Sequence, residues 1–209
     1  MTTTNPFIRH IIATDPLPPP SSSLYEYLLA GNGLFIRAKR SHLTVQFPLS
    51  FHTVRDLPDL HTQLDISVPT IPEALMTSML LEAYGAWLTP TGPLESLFHF
   101  TYADDWILTI PEQERTSVSV RPADIANCPS YHSSFVEIHS HHLMVPKFSR
   151  MDDEDETGFR IYGVCGHFQK RPSISFRIGV YGHFFSIPAS LIADLPPGLH
   201  DTYPTVTPI

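Results

Sequence analysis

Cysteine is nearly missing from this chain: Cys128 and Cys165 are the whole complement, too few for a disulfide framework, which excludes the small disulfide-stapled scaffolds. Positive charge is also scarce. Lys and Arg number 13 against 21 Asp and Glu, a formal net charge of −8, so nothing resembles the basic footprint of a nucleic-acid or anionic-lipid binder. No apolar run approaches the roughly 20 residues that a membrane-spanning helix requires. The opening residues Met1 to Phe7 lack the charged and apolar regions of a signal peptide. Cys128-Pro129 has no second Cys two residues on, which argues against the Pro-Cys-x-x-Cys signature of the zinc deaminases. These absences predict a cytoplasmic protein with neither nucleic acid nor membrane as partner.

What is present is enough for a core. A chain of 209 residues with 42% hydrophobic content can bury a substantial interior. Prolines and serines at 16–23 mark an extended tail, and the runs Leu34–Ala38 and Leu43–Phe47 predict a β-hairpin, so residues 1–68 read as a tail with an accessory hairpin. Pro72 opens a helix to about Leu88, with Leu75, Met79, Leu80 and Tyr84 as its core stripe. A strand is expected over 94–102, a hairpin or pair of strands from Trp106–Ile110 and Thr116–Val120, and a loop or short helix over 122–134. Two later strands follow, Phe159–Gly166 and Ile174–Phe184, with a turn at Lys170–Pro172. The main domain is placed at 69–195, and 196–209 reads as a loosely ordered Pro/Thr tail.

The chemistry concentrates between Glu137 and Glu156. If 135–141 is extended, His139 and His141 project from one face, because side chains alternate along a strand. Residues 143–148 carry a proline and no period, so they read as a loop returning the chain toward the strand end. Ser149 stands where a helix N-cap belongs, with Asp152 in the first turn. Two imidazoles and one carboxylate, with a fourth position for water, make up a catalytic zinc site rather than a closed structural one. A plainer reading also exists: Ser149-x-x-Asp152 matches a capping box, and the acidic run 152–156 suits the positive end of a helix dipole. The two readings are compatible. A lone His-x-His pair carries little weight among 12 histidines; the joint four-position pattern carries more.

That pattern resembles the JAMM/MPN zinc metalloproteases, whose signature is a glutamate on an earlier strand, then His-x-His, then Ser-x-x-Asp. The resemblance covers about residues 70 to 190, and Asp155–Val164 with Arg177–Phe184 look like a bacterial subgroup from plasmid-borne gene clusters, the PRTRC system protein A type. It implies an α/β (α+β) fold, a cytidine-deaminase-like mixed sheet flanked by helices. It further implies zinc held by His139, His141 and Asp152, an oxyanion-stabilising Ser149, and a general-base glutamate. Glu95, at the helix-to-strand position, takes that role; Glu73 and Glu82 fall on the helix and fit a solvated face. Here Ser96-Leu97-Phe98-His99 follows the glutamate in place of the family's Gly-rich strand. His142 stands where many members have proline, and reads as a groove residue, an alternative ligand or a plain loop histidine. Glu137 is either a support for the ligands or an ordinary strand-end charge, and His167 and His183 are either near the site or merely packed. The implied activity is hydrolysis of a peptide or isopeptide bond in a protein or peptide, a ubiquitin-like protein being the family's usual partner. The alternatives are a non-catalytic MPN interaction module and a metal-dependent hydrolase of a non-peptide amide.

Overall fold

The computed structural model describes residues 7–90 and 92–204, and it divides into two compact units, 1–68 and 69–209. The fold is mixed α/β, richer in strand than in helix. Residues 1–6 of the expected N-terminal tail and 205–209 of the expected C-terminal tail lie outside the described residues.

The first unit is a five-stranded sheet in the order β1 (Ile8–Ile12), β2 (Tyr25–Ala30), β3 (Gly33–Arg40), β4 (Leu43–Phe51), β5 (Gln63–Ile66). The hairpin β3–β4 is present as expected, but the tail is not loose. Its residues 8–12 pair in parallel with β2, and Ala13 is buried with Leu28, Ala30, Phe35 and Leu60. The proline segment is held as well: Arg37 donates to the Pro18 carbonyl at 2.8 Å and meets the buried Glu26 carboxylate at 2.7 Å. A proline-rich composition predicts little pairing of its own, yet one buried guanidinium with an acceptor in reach is enough to hold the segment down.

The second unit opens with α1 (Glu73–Trp87) and continues through β6 (Leu97–Tyr102), β7 (Trp106–Thr109), β8 (Gln113–Arg115), β9 (Val120–Pro122) and α2 (Pro129–Ser133). Then come β10 (Val136–Ser140), α3 (Arg150–Asp155), β11 (Phe159–Gly166), β12 (Ser173–Val180), β13 (His183–Ile187) and β14 (His200–Asp201). Its main sheet runs β13-β12-β11-β10-β6-β7, with β14 added beside β12. Strands β10 and β11 are parallel, while β6, β12 and β13 join antiparallel. A parallel pair needs a crossover, and here that crossover carries α3.

Four expectations are corrected. The buried stripe of α1 is Met76, Met79, Ala83 and Ala86, with Leu75, Leu80 and Tyr84 only half-buried; small alanines let the helix backbone approach its neighbours more closely than Leu would. Of the two strands expected within 106–120, the first is β7, which pairs β6, while Thr116–Val120 is mostly the turn of a separate hairpin, β8–β9, and Gln113 accepts from the Leu97 N–H at 2.8 Å at the end of β6. The run 174–184 turns back on itself at Tyr181 and Gly182, both at positive φ, giving the two-residue hairpin β12–β13. The described part of the C-terminal stretch is held against the unit: Leu199 is buried and Asp201 accepts from the Ala189 N–H at 2.6 Å.

Register sorts the main sheet into two faces. Leu97 lies opposite His139, Glu137 opposite Tyr162, and Tyr162 opposite Arg177, so these residues share one side of the pleat with His99 and Arg160. The other side carries Phe98, Phe100, Ile138, Ile161, Ile174, Phe176 and Ile178, all buried. At about 1.5–3 kcal/mol for each large apolar side chain buried, that face is a major contributor to the core of the unit. The first face is left for polar work.

Candidate metal centre

Three ligand-type side chains converge at the end of β10. His139 and His141 bring their Nε2 atoms within 3.0 Å of each other, and Asp152 places Oδ1 at 3.2 Å from the first and Oδ2 at 3.8 Å from the second. Among the described residues this is the group that could hold a metal ion, its ligand atoms all within 4.8 Å of one another. A tetrahedral zinc with bonds of about 2.0–2.2 Å spaces its ligand atoms about 3.3–3.6 Å apart, close to the separations of His139 Nε2 from His141 Nε2 and from Asp152 Oδ1. The donor set fits the ion.

Each ligand is positioned by a local cause. His139 lies within β10, while His141 follows it and donates its backbone N–H to the Cys165 carbonyl at 2.7 Å, prolonging the parallel pairing. The loop from His142 to Phe148 folds against the end of β11: His167 N–H reaches the Met144 carbonyl and Phe168 N–H the His142 carbonyl. A Cβ at Gly166 would come within 2.3 Å of the Met144 carbonyl oxygen, so only glycine admits this return. Ser149 then caps α3 reciprocally: its hydroxyl accepts from the Asp152 N–H at 3.2 Å and its N–H donates to the Asp152 carboxylate. The capping box is present and leaves room for ligation, because one oxygen of Asp152 serves the cap and the other faces His139. The Ser149 hydroxyl acts there as acceptor, which leaves its proton for another oxygen.

Helix α3 buries no residue of its own. It is fastened instead by Arg177, which donates to Glu156 at 2.8 Å and to Asp153 at 2.5 Å. The guanidinium lies between the rings of Phe148 and Phe184, 3.9 and 3.6 Å from their centroids. The acidic run that suits a helix dipole therefore has a second use, tying the ligand-bearing helix to β12. Arg177 was not foreseen from the sequence, where the only signal was a cation in an otherwise apolar strand run.

Glu95 sits just before β6 and is 2% exposed. Extending the β6–β10 register by two residues sets it opposite His141, on the ligand face. Its backbone is held by β8: Glu95 N–H donates to the Thr116 carbonyl and Arg115 donates to the Glu95 carbonyl at 2.7 Å. Its carboxyl Oε1 is buried without a hydrogen-bond partner. Burial pushes this group up to about 7, with His139 opposing the rise and Asp152 adding to it. Burial and the neighbouring His139 lower the His141 imidazole to about 4, keeping it neutral and ready to ligate. Burial would lower His139 too, but Asp152 outweighs this and raises it. For Asp152 burial would raise the pKa, and contacts with His139 and Ser149 hold it far below the carboxylate range.

The remaining candidates separate clearly. Glu137 accepts from Arg160 at 2.9 Å and lies 3.5 Å from His99 Nε2, so it buttresses the cleft wall rather than joining the ligands. His142, at φ 32°, is buried near Leu94 and Arg115 and is not part of the ligand group. His167 and His183 stand outside that group as well, and Glu73 and Glu82 are solvent-exposed. Glu156 and the turn residue Val118, unmarked by any motif, both line the cleft. Compared with known proteins, this chain matches no protein-family model and no curated protein.

Proposed function

We propose that this chain is a zinc-dependent peptidase or isopeptidase of the JAMM/MPN type, hydrolysing an amide bond in a protein or peptide. The observation that carries the reading is a buried carboxyl oxygen without a partner, on Glu95, on the same sheet face as a three-ligand group that leaves a fourth position open. A structural metal site has no use for such a carboxyl, whereas a hydrolase does. The mixed sheet, with α1 leading into the strand after Glu95, agrees with the fold that the family implies.

His139, His141 and Asp152 would hold the ion, Arg177 and the Ser149 cap keeping Asp152 aimed at it. Zinc bound there supplies Lewis acidity, lowering the pKa of water from 15.7 toward about 7 and polarising the scissile carbonyl. Glu95 accepts the proton of the attacking water at Oε1 and returns it to the leaving amine nitrogen as the C–N bond breaks. Ser149 donates its free hydroxyl proton to the carbonyl oxygen as charge builds there, an interaction worth about 3–4 kcal/mol where such donors have been removed. The low exposure of Glu95 and the histidines strengthens these interactions by excluding bulk water.

No helix among the described residues is long and apolar enough to cross a membrane. Both cysteines are free thiols, in keeping with a reducing cytoplasm.

The test is metal content together with cleavage. The purified protein is expected to carry or take up one zinc per chain, His139→Ala to lose it, and the loaded protein to cleave peptide or isopeptide substrates in a chelator-sensitive manner. A wild-type protein that takes up no zinc sinks the reading and favours an interaction module. Zinc uptake with cleavage of small amides and never of peptides would move it to the non-peptide hydrolases.

A further inference from the structure

The two sides of the cleft differ. Glu95, Val118, Met151 and Asp152 border two adjoining cavities. On the Glu137 side the space is about 190 Å³ and is edged by Asp155 and Glu156. On the His141 side it is about 550 Å³ and is walled mainly by Val118, Met144, Val145, Phe148 and Met151, with Lys147 and Arg150 also lining it. These apolar walls come from three separate segments: the turn between β8 and β9, the loop after β10, and the first turn of α3. Val118 is 63% exposed, Met151 53%, Val145 51% and Met144 45%. Scattered surface apolar residues need no explanation, but side chains from three segments meeting around the reacting groups do.

An occupant is dictated by position. An amide whose carbonyl lies between Glu95 and Asp152 must send the residue on one side into the larger cavity and the residue on the other side into the smaller. We propose that the substrate is a peptide whose scissile bond is flanked on one side by a bulky apolar residue, seated among Val118, Met144, Val145, Phe148 and Met151, and on the other by a compact residue. This rests on the hydrolase reading above and adds the substrate class to it. Two methionines in the wall make the pocket adaptable, so Leu, Met and Phe are accepted alike while Ser is not.

Zinc-loaded Glu95→Gln protein, which binds without turnover, is to be titrated with fluorescein-labelled decapeptides varied at the central position and followed by anisotropy. Peptides bearing Leu, Met or Phe are expected to bind at least about tenfold more tightly than those bearing Ser, the range that a buried apolar side chain supplies. Adding Met144→Ser and Met151→Ser should abolish that preference while leaving zinc stoichiometry and thermal midpoint as they were, since both side chains are exposed. Equal binding of apolar and polar peptides, no binding of any, or a preference that survives the added serines overturns the proposal. Wild-type cleavage separates the two levels: a zinc-loaded enzyme that cuts apolar and polar peptides equally leaves the hydrolase standing and removes this specificity.

Discussion

The two units bury carboxylates in opposite ways. In the five-stranded sheet, Glu26 lies directly across from Arg37, and the buried acid meets a permanent cation at 2.6–2.7 Å. In the larger sheet, Glu95 is equally buried, yet among the described residues no Lys or Arg pairs with it and its Oε1 has no partner. A buried charge costs several kcal/mol unless compensated. Glu26 is compensated within the fold, whereas Glu95 is left beside two imidazoles and a carboxylate whose geometry suits a cation from outside. The contrast sets a carboxylate that holds structure against one that we propose is placed for chemistry. Each can be broken separately.

The largest effect is expected at Glu95. Replacement by Gln should preserve zinc stoichiometry and reduce kcat by about 10²–10⁴-fold, the contribution of a general base; single-turnover cleavage with metal analysis on the same sample checks both halves. A variant that cuts at the wild-type rate removes Glu95 from the mechanism. Next is Glu26→Ala, which strands Arg37 and should cost about 3–5 kcal/mol in denaturant unfolding of the first unit, with zinc binding untouched. That contribution is also pH-dependent. Burial alone would raise the Glu26 pKa, but Ser21 and Arg37 outweigh it and hold the group below its ordinary 4.5. The stabilisation is therefore complete above about pH 4.5 and is lost as pH falls through the lowered value, so wild type and Glu26→Gln should converge in stability in acid.

A third, smaller effect joins structure to site. Arg177→Ala should weaken zinc by about 10–100-fold, as expected for a group that holds a ligand in place, measured by competition with a chromophoric chelator. Arg177→Lys should restore only part of this, because a point charge can pair with Glu156 but cannot fill the slot between Phe148 and Phe184 in the same way. Full zinc affinity in Arg177→Ala would show that α3 is held by something else. The smallest stability change is at Ser149→Ala, about 1 kcal/mol from the lost cap, seen as a lower thermal midpoint of the zinc-free protein. Its effect on turnover in the loaded enzyme reports separately on the hydroxyl's second role.

Much of the site was legible in order along the chain. The alternation of His139 and His141, and the three-residue step from Ser149 to Asp152, are local periodicities, and local periodicity survives into the fold because strand and helix geometry are set by the backbone. The misreadings at the two chain ends share an origin: the tail over 8–13 and the strand at 200–201 depend on pairing with β2 and β12, outside their own stretch. Proline content and turn composition describe what a segment does alone, not which edge will accept it.

By itself, then, the sequence determined which of the proposed site residues share a strand face or a helical turn, since those relations span at most a few residues. Only the tertiary structure decided that Glu95 faces His141 across a register fixed by β6 and β10, that Arg177 anchors a helix with no buried face, and that Val118 reaches the cleft from a separate hairpin. Those relations arise from packing between distant segments, where burial and unpaired polar groups select one arrangement among many that the local pattern allows.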